Sequence, residues 1–499
     1  MKLHSPNKKN RETDNPAAYR RLTETLRKGR GGVTVADMTA ASALPLALVQ
    51  ELLPRAADEY SARLEVSESG EIVYSFPRGF VSRYRGFKAG LKRFLEKSGS
   101  LLVRFASLAF KIWIMFMLIG YFVLFMVIAL GSLFISVSVN SKNSSGRRNG
   151  GSFNMGIFSL LWRLWFYSEL TRPVYRDYGG TRGNKASSAK RPMHRAIFSF
   201  VFGEEDPNRD WENREKKALI AYIQSRRGLI SLPEFMGITG QNSADAGEAI
   251  LAFCAEFGGY PEATDEGTLV YRFDKLLLRS DKEDRSFGGF SSPIRRLKKF
   301  SGNSKTMNVW FGIINSVNLL FGTYFFYNAL STGVVNADAP YHGSWLYGMT
   351  YVLFEQFAGN SLPFIGIVLG VIPLIFSLLF WLIPALRFLS EKKENKQSRL
   401  ENFKRIGFSH IWDKPLHVET ANLEGAAPEC RPADMDAARD RVIKDLGAYS
   451  VPEVEINDRG VTVYSFRELE REKEALEKYR ASVDPKQSEI GRTVFDSDA

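Results

Sequence analysis

A twelve-residue pattern recurs three times without a gap: EVSESGEIVYSF at 65–76, EATDEGTLVYRF at 262–273 and EINDRGVTVYSF at 455–466. Each copy is an extended run, a polar pair leading into Gly70, Gly267 or Gly460, and a second run. In the second run Ile72/Tyr74/Phe76, Leu269/Tyr271/Phe273 and Thr462/Tyr464/Phe466 alternate, which puts each trio on one face of a strand. The pattern predicts a β-hairpin with glycine where the turn needs positive φ. A two-stranded hairpin is marginal in water by itself, so its rings must rest on another layer. Tyr74, Tyr271 and Tyr464 are therefore expected as core residues.

The sequence before each hairpin supplies that layer. Residues 17–30 read as a helix stopped by Gly31 and Gly32, and residues 33–64 as a short helix, a turn near Pro45 and a second helix that Pro54 breaks or kinks. The second copy repeats this order: KKALIAYIQSRR, Gly228, LISLPEFMGITG, SADAGEAILAFCAEFGG, then the hairpin. Before the third hairpin only PADMDAARDRVIKDLGAY gives a clear helix. Helices followed by a two-stranded wing are the order of a winged-helix domain, with the aromatic face of the wing closing the helical core.

Between these modules lie stretches of another kind. Residues 107–139 carry Lys111 as their one charge and are long enough to span a bilayer; residues 307–330 and 363–386 are two further spans. Residues 153–170 carry Arg163 mid-run and read either as a return crossing or as an interfacial helix. The loop 331–362 holds Asp338 and Glu355 but no Lys or Arg, whereas Arg295, Arg296, Lys298, Lys299 and Lys305 precede the pair of spans and Arg387, Lys392, Lys393 and Lys396 follow it. Basic residues also crowd both flanks of the 107–170 block. The positive-inside rule then places all three modules and both termini in the cytosol, which requires an even number of crossings in each block and four in all, with 153–170 as the preferred return and a doubling-over of the long first run as the alternative. The first twenty residues lack an apolar h-region, so no cleaved secretory signal is expected.

Chemistry-bearing motifs are sparse. Cys254 and Cys430 are far apart and outside any C-x-x-C pattern, and His4, His194, His342, His410 and His417 form no ligand spacing, so no metal or cofactor site, no catalytic set and no enzyme activity is expected. A net charge of +12 raises nucleic acid, but the excess sits in the linkers beside the spans, where anionic headgroups are the fitting partner. The third helix of a DNA-reading module would need Lys and Arg; the second copy offers Asp245, Glu248 and Glu256. Asn315 and Asn318 in a span, with Arg163 and Glu355, suit either interhelical hydrogen bonds or a solute path. Gly366 and Gly370 allow close helix approach, and Pro373 and Pro384 predict kinks. Glu204, Glu205 and Asp206 form an acidic cluster whose simpler use is at a helix start, with Asp206 as cap and Pro207 at the first position.

The stretch SFVFGEEDPN at 199–208, followed by a helix and the Gly228 module, resembles a family of multi-pass membrane proteins of cyanobacteria, plastid envelopes and other bacteria that carry SFVFG-x-x-DPN before such a module. The resemblance covers mainly residues 60–280. It implies membrane spans and repeated modules and brings no catalytic residue; an iron–sulfur label attached to some plastid members finds no support in two separated cysteines.

The expected fold is membrane α-helical plus α+β, with about four transmembrane helices and three winged-helix-like cytosolic modules. Its divisions are a disordered 1–16; module 1 at 17–80; a basic linker 81–106; a transmembrane pair 107–170; a basic linker 171–196; the SFVFG-x-x-DPN segment and module 2 at 197–280; a basic linker 281–306; a transmembrane hairpin 307–388; module 3 and a helix at 389–482; and a disordered 483–499. The expected function is a scaffold of the cytoplasmic membrane docking an unknown protein partner, the alternatives being a small oligomeric transporter and a membrane-tethered DNA-binding regulator.

Overall fold

The computed structural model describes residues 15–28, 31–77, 80, 83, 87–140, 192–280, 293–331, 346–351, 364–425, 427–458, 460–484 and 490–497, of which 87–100 and 132–140 are described as helical backbone. Residues 1–14 and 153–170, whose disorder and membrane crossing were expectations from sequence, lie outside this set. The chain divides into two compact units, one of Met1–Arg93, Asp206–Leu297 and Lys393–Ala499, the other of Phe94–Glu205 and Lys298–Lys392.

In the first unit, α1 (Pro16–Lys28), α2 (Val35–Ser42) and α3 (Leu46–Tyr60) precede the hairpin β2–β3 (Arg63–Ser67, Ile72–Ser75), and a two-residue strand β1 (Gly32–Val33) joins its inner edge. Thr34 starts α2 through a capping box with Asp37. Pro54 lies inside α3, which stays one helix despite it. The buried face Val49, Leu52, Leu53, Ala56, Ala57 and Tyr60 meets Leu22 and Leu26 of α1, and this packing outweighs the backbone bond a proline removes.

The second segment repeats the arrangement with α7 (Trp211–Ser225), β4 (Leu229–Ile230), α8 (Leu232–Thr239), α9 (Ser243–Phe257) and the hairpin β5–β6 (Tyr260–Ala263, Leu269–Arg272). In the third, β7 (Val418–Glu419) joins the hairpin β8–β9 (Glu453–Ile456, Thr462–Ser465) beside α12 (Met435–Gly447), and α13 (Arg467–Ser482) follows. The three turns carry Gly70, Gly267 and Gly460 at φ of +80°, +84° and +71°. Tyr74 is buried in the first segment's core, Tyr271, Phe273 and Phe466 are buried in the core of the other two with Tyr464 packed partly buried against it, and Ile72 and Leu269 are exposed. In the first two hairpins the member of the trio nearest the turn is thus exposed, whereas its counterpart in the third, Thr462, is half-buried.

The second and third segments share apolar interior, and the first, whose own core is a separate cluster, touches it through Leu46. Phe253, Phe257 and Phe273 of the second, Val442, Leu446 and Phe466 of the third, and Leu46 of the first lie in one cluster. Asp37 of α2 accepts the Ser280 N–H (2.9 Å) and hydroxyl (2.6 Å), and the Thr34 hydroxyl donates to the Leu278 carbonyl at 2.7 Å. Within 483–499, expected to be disordered, the described residues 490–497 are ordered on the first hairpin. A strand β10 (Thr493–Asp496) pairs antiparallel with β2, its Thr, Val and Phe suiting an extended conformation.

The second unit is helical. α4 (Phe87–Met115) passes through a π-turn, Phe116–Gly120, into α5 (Tyr121–Asn140); α6 is Met193–Phe202, α10 Lys305–Ser331, and a second π-turn, Ile365–Val371, opens into α11 (Ile372–Asp413). Among the described residues three helices are long and apolar enough to cross a membrane: Leu101–Gly131, Lys305–Ser331 and Ile365–Asp413. The last also corrects the boundary placed at 388. RFLSEKKENKQSRLEN, with neither glycine nor proline, gives no stop signal after the apolar part, so the span and the first helix of the third segment are one element. The second π-turn ends two residues before Pro373, where a missing N–H and a ring clash disturb an α-helical ladder. Gly366 and Gly370 face α10 as their spacing predicts. A Cβ on Gly370 would lie 2.9 Å from the Phe326 backbone nitrogen, and one on Gly322 2.9 Å from that of Leu374.

Candidate functional site

The SFVFGEEDPN stretch is the most motif-like part of the sequence, and its residues have separate tasks. In the helical unit, α6 ends at Gly203, whose φ of +84° suits glycine. The Arg387 guanidinium lies where a Cβ on Gly203 would be, donating to the carbonyls of Phe300 (2.7 Å) and Phe200 (2.9 Å) and to Glu391 (2.8 Å). Glu204 accepts from the Ser199 hydroxyl at 2.6 Å and the Gly302 N–H at 3.0 Å, and the Phe200 ring stacks on Phe380. These bonds give the Glu204 carboxylate a structural role, and among the described residues no group of three or more His, Cys, Asp or Glu can hold a metal ion.

In the other unit, Asp206 does not cap the helix. Its carboxylate accepts the Asn208 N–H at 2.9 Å and its carbonyl the Arg209 N–H at 3.1 Å, closing a turn around Pro207, and α7 begins one turn later with Asp210 as the preceding residue. Asn208 holds the backbone of Arg296 through both groups of its amide, accepting at 3.0 Å and donating at 2.7 Å. Asn402 of α11 does the same to Arg295, at 2.9 Å each way. A strand-like strap at 293–297 is thus fixed by two asparagine clamps.

Two arginines of this unit are deeply buried. Arg405 of α11 is 1% exposed, donates to the last carbonyls of α8 (Ile238, 2.9 Å; Thr239, 2.8 Å) and to Glu215 (3.0 Å), and lies 4.7 Å from the Trp211 ring centre, with Arg295 at 4.9 Å. A cation at a helix C-terminus matches the carbonyls left unpaired there. Burial raises the Glu215 pKa, while Arg405 and Arg295 pull it down. Arg480 of α13 donates to Glu234 at 2.7 Å and to the Leu229 carbonyl at 3.0 Å; Glu234 also accepts from Tyr222 at 2.6 Å and completes the Ser231 capping box. Burial acts to lower the Arg480 pKa, but Glu234 outweighs it and the net direction is up. Nearby, burial pushes the Glu472 carboxyl up to about 7, although Tyr449 donates to it at 2.9 Å. Each arginine joins sequence-distant elements, so their chemistry is that of a lock.

Polar groups in the apolar helices are engaged in the same manner. Asn315 donates to the Ser377 carbonyl at 3.0 Å, and Asn318 to the carbonyl of Leu118 at 2.7 Å, inside the first π-turn. The Tyr121 hydroxyl donates to Val368 in the second π-turn at 2.9 Å. A π-turn leaves carbonyls off the regular ladder, and these side chains meet them. Arg163 and Glu355 lie outside the described residues.

The chain is 25% identical over 407 residues to an uncharacterized chloroplastic protein of Arabidopsis thaliana, a match covering 77% of this chain and 70% of that one. No family model matches, and no solved structure matches.

Sequence reading found Asn315, Asn318 and the glycine contacts but missed Arg405 and Arg480. Both stand in highly charged helical stretches, where nothing separates a buried arginine from its solvated neighbours. Glu234, the partner of Arg480, had a visible signal, the S-x-x-E of a capping box at 231–234.

Proposed function

We propose that the chain is a membrane-anchored scaffold: the three apolar helices hold it in a bilayer, and three winged-helix-like modules, fused into one unit, dock a protein partner. The supporting observation is the fusion itself. Shared core, the Asp37–Ser280 contact and the Arg480–Glu234 pair turn three small modules into one body with a broad outer surface. On that surface α9 presents Asp245 and Glu248, and the helix contains no Lys or Arg, which favours protein over phosphate backbone. In this reading the modules and both termini are cytosolic, the membrane is the bacterial cytoplasmic membrane, and the basic linkers lie on anionic headgroups.

The test places a photoreactive residue at Leu251, exposed on α9, in the full chain in native membranes. A discrete protein adduct retained at high salt is the expected outcome. Adducts to nucleic acid, or none but lipid, overturn the reading.

A further inference from the structure

The three hairpins have the same register, and their outer edges are treated in three ways. Leu64, Pro261 and Val454 are equivalent, pairing with Tyr74, Tyr271 and Tyr464 respectively. At Leu64 the backbone points away from β3: its carbonyl accepts the Ser497 N–H at 2.9 Å and its N–H donates to the Ser497 hydroxyl at 3.1 Å, so the edge of β2 is covered by β10. At the same position in the second hairpin, proline has no N–H to offer, a standard way to blunt an edge. The third hairpin has neither device. Among the described residues no strand pairs with the outer side of β8, and Val454 and Ile456 are 58% and 75% exposed, with Val451 beside them.

Charge separates this edge from the covered one. Asp496 of β10 is bound by Arg63, Nε to Oδ1 2.8 Å, and Arg63 pairs with Ser75. The residue in that register position on β8 is Glu453, opposite Ser465, and Glu455 follows. Arg467 lies 2.9 Å from Glu453, both about half exposed, and offsets one of the two acids. A strand suited to β8 therefore reverses the sign of β10 at the anchoring position.

We propose that the β8 edge receives an extended basic segment of a protein partner by antiparallel strand addition, with apolar residues at alternate positions and Lys or Arg where β10 carries Asp496. It rests on the scaffold reading and names the recognition element. A second copy of this chain fits less well, since its own tail would bring Asp496 to Glu453 and its own β8 would bring glutamates to glutamates.

The probes are a fluorescent peptide of residues 490–497, IGRTVFDS, and its D496K version, titrated by anisotropy into the full chain in nanodiscs. The lysine peptide is expected to bind saturably and at least tenfold tighter than its parent. Val454→Pro places in β8 the residue that β5 already accommodates; it should leave thermal unfolding unchanged and weaken the lysine peptide at least tenfold. Glu453→Lys should invert the preference between the peptides and serves if the proline variant misfolds. Absence of saturable binding, equal binding by Val454→Pro, or a chain dimer that this variant makes monomeric overturns the proposal. If the peptide result fails while the Leu251 adduct persists, this inference alone falls; the opposite pattern removes the scaffold reading.

Discussion

Arg480 is 5% exposed and its guanidinium answers a Glu234 carboxylate that is buried as well. Replacing it with methionine strands that carboxylate, a loss of about 3–5 kcal/mol in stability, whereas replacing both partners with apolar residues costs much less. Thermal unfolding of the two single variants and the double variant measures the difference; additive losses would show that the pair is not coupled. Glu472 gives the opposite case. Its carboxyl titrates at about 7 when folded, so the folded state holds a proton that the unfolded state releases near its ordinary value, and stability falls as pH rises through that window. Glu472→Gln removes this penalty and should stabilise the protein above pH 7 by up to about 3 kcal/mol, with little change below pH 4. Unfolding curves that differ equally at pH 4 and pH 8 would refute it. At Gly203, an alanine must both adopt φ of +84° and displace the Arg387 guanidinium; a loss of about 1–3 kcal/mol is expected in the same assay.

Elements differ in how plainly the sequence announces them. The hairpins were legible because glycine, alternation and aromatic placement all agree, and the spans because length and lack of charge leave few other uses. Short strands β1, β4 and β7 were not: two residues, such as Gly32–Val33, carry no period, and only the finished hairpin gives them an edge to join. Nor were the π-turns, the second of which lies where Gly366, Gly370 and Pro373 meet a packed neighbour. Continuity of α11 to Asp413 was hidden by a change of composition without a change of helical propensity. Helix-on-helix contact at the second π-turn yields its own prediction. Gly370→Leu places side-chain atoms against the Phe326 backbone and should separate α10 from this turn, read as faster proteolysis of the detergent-solubilised chain; wild-type resistance would show that close approach is not required. Asn318→Leu, which deletes one buried hydrogen bond to the Leu118 carbonyl, should cost less, about 0.6 kcal/mol.

At the scale of the whole molecule, the contacts among the three segments bear on the proposed path of the chain. In the proposed membrane path, segments that contact one another stand on one side of the bilayer, which asks for an even number of crossings between the first and second hairpins and between the second and third. The second interval holds two apolar helices, Lys305–Ser331 and Ile365–Asp413, which fits that proposal; in the first, Leu101–Gly131 is the one such helix among the described residues, and the proposal needs a return crossing there. The charge bias of the loops is the ground on which the proposal expects this parity. The most direct measurement is labelling of Glu24→Cys, Asp265→Cys and Asp440→Cys, each exposed and in a different segment, in a chain with Cys254 and Cys430 replaced, by an impermeant maleimide on sealed vesicles of known orientation. The account predicts that all three react from the same side and are all protected from the other. Any one of them reacting from the opposite side would contradict the fused unit and the membrane path together.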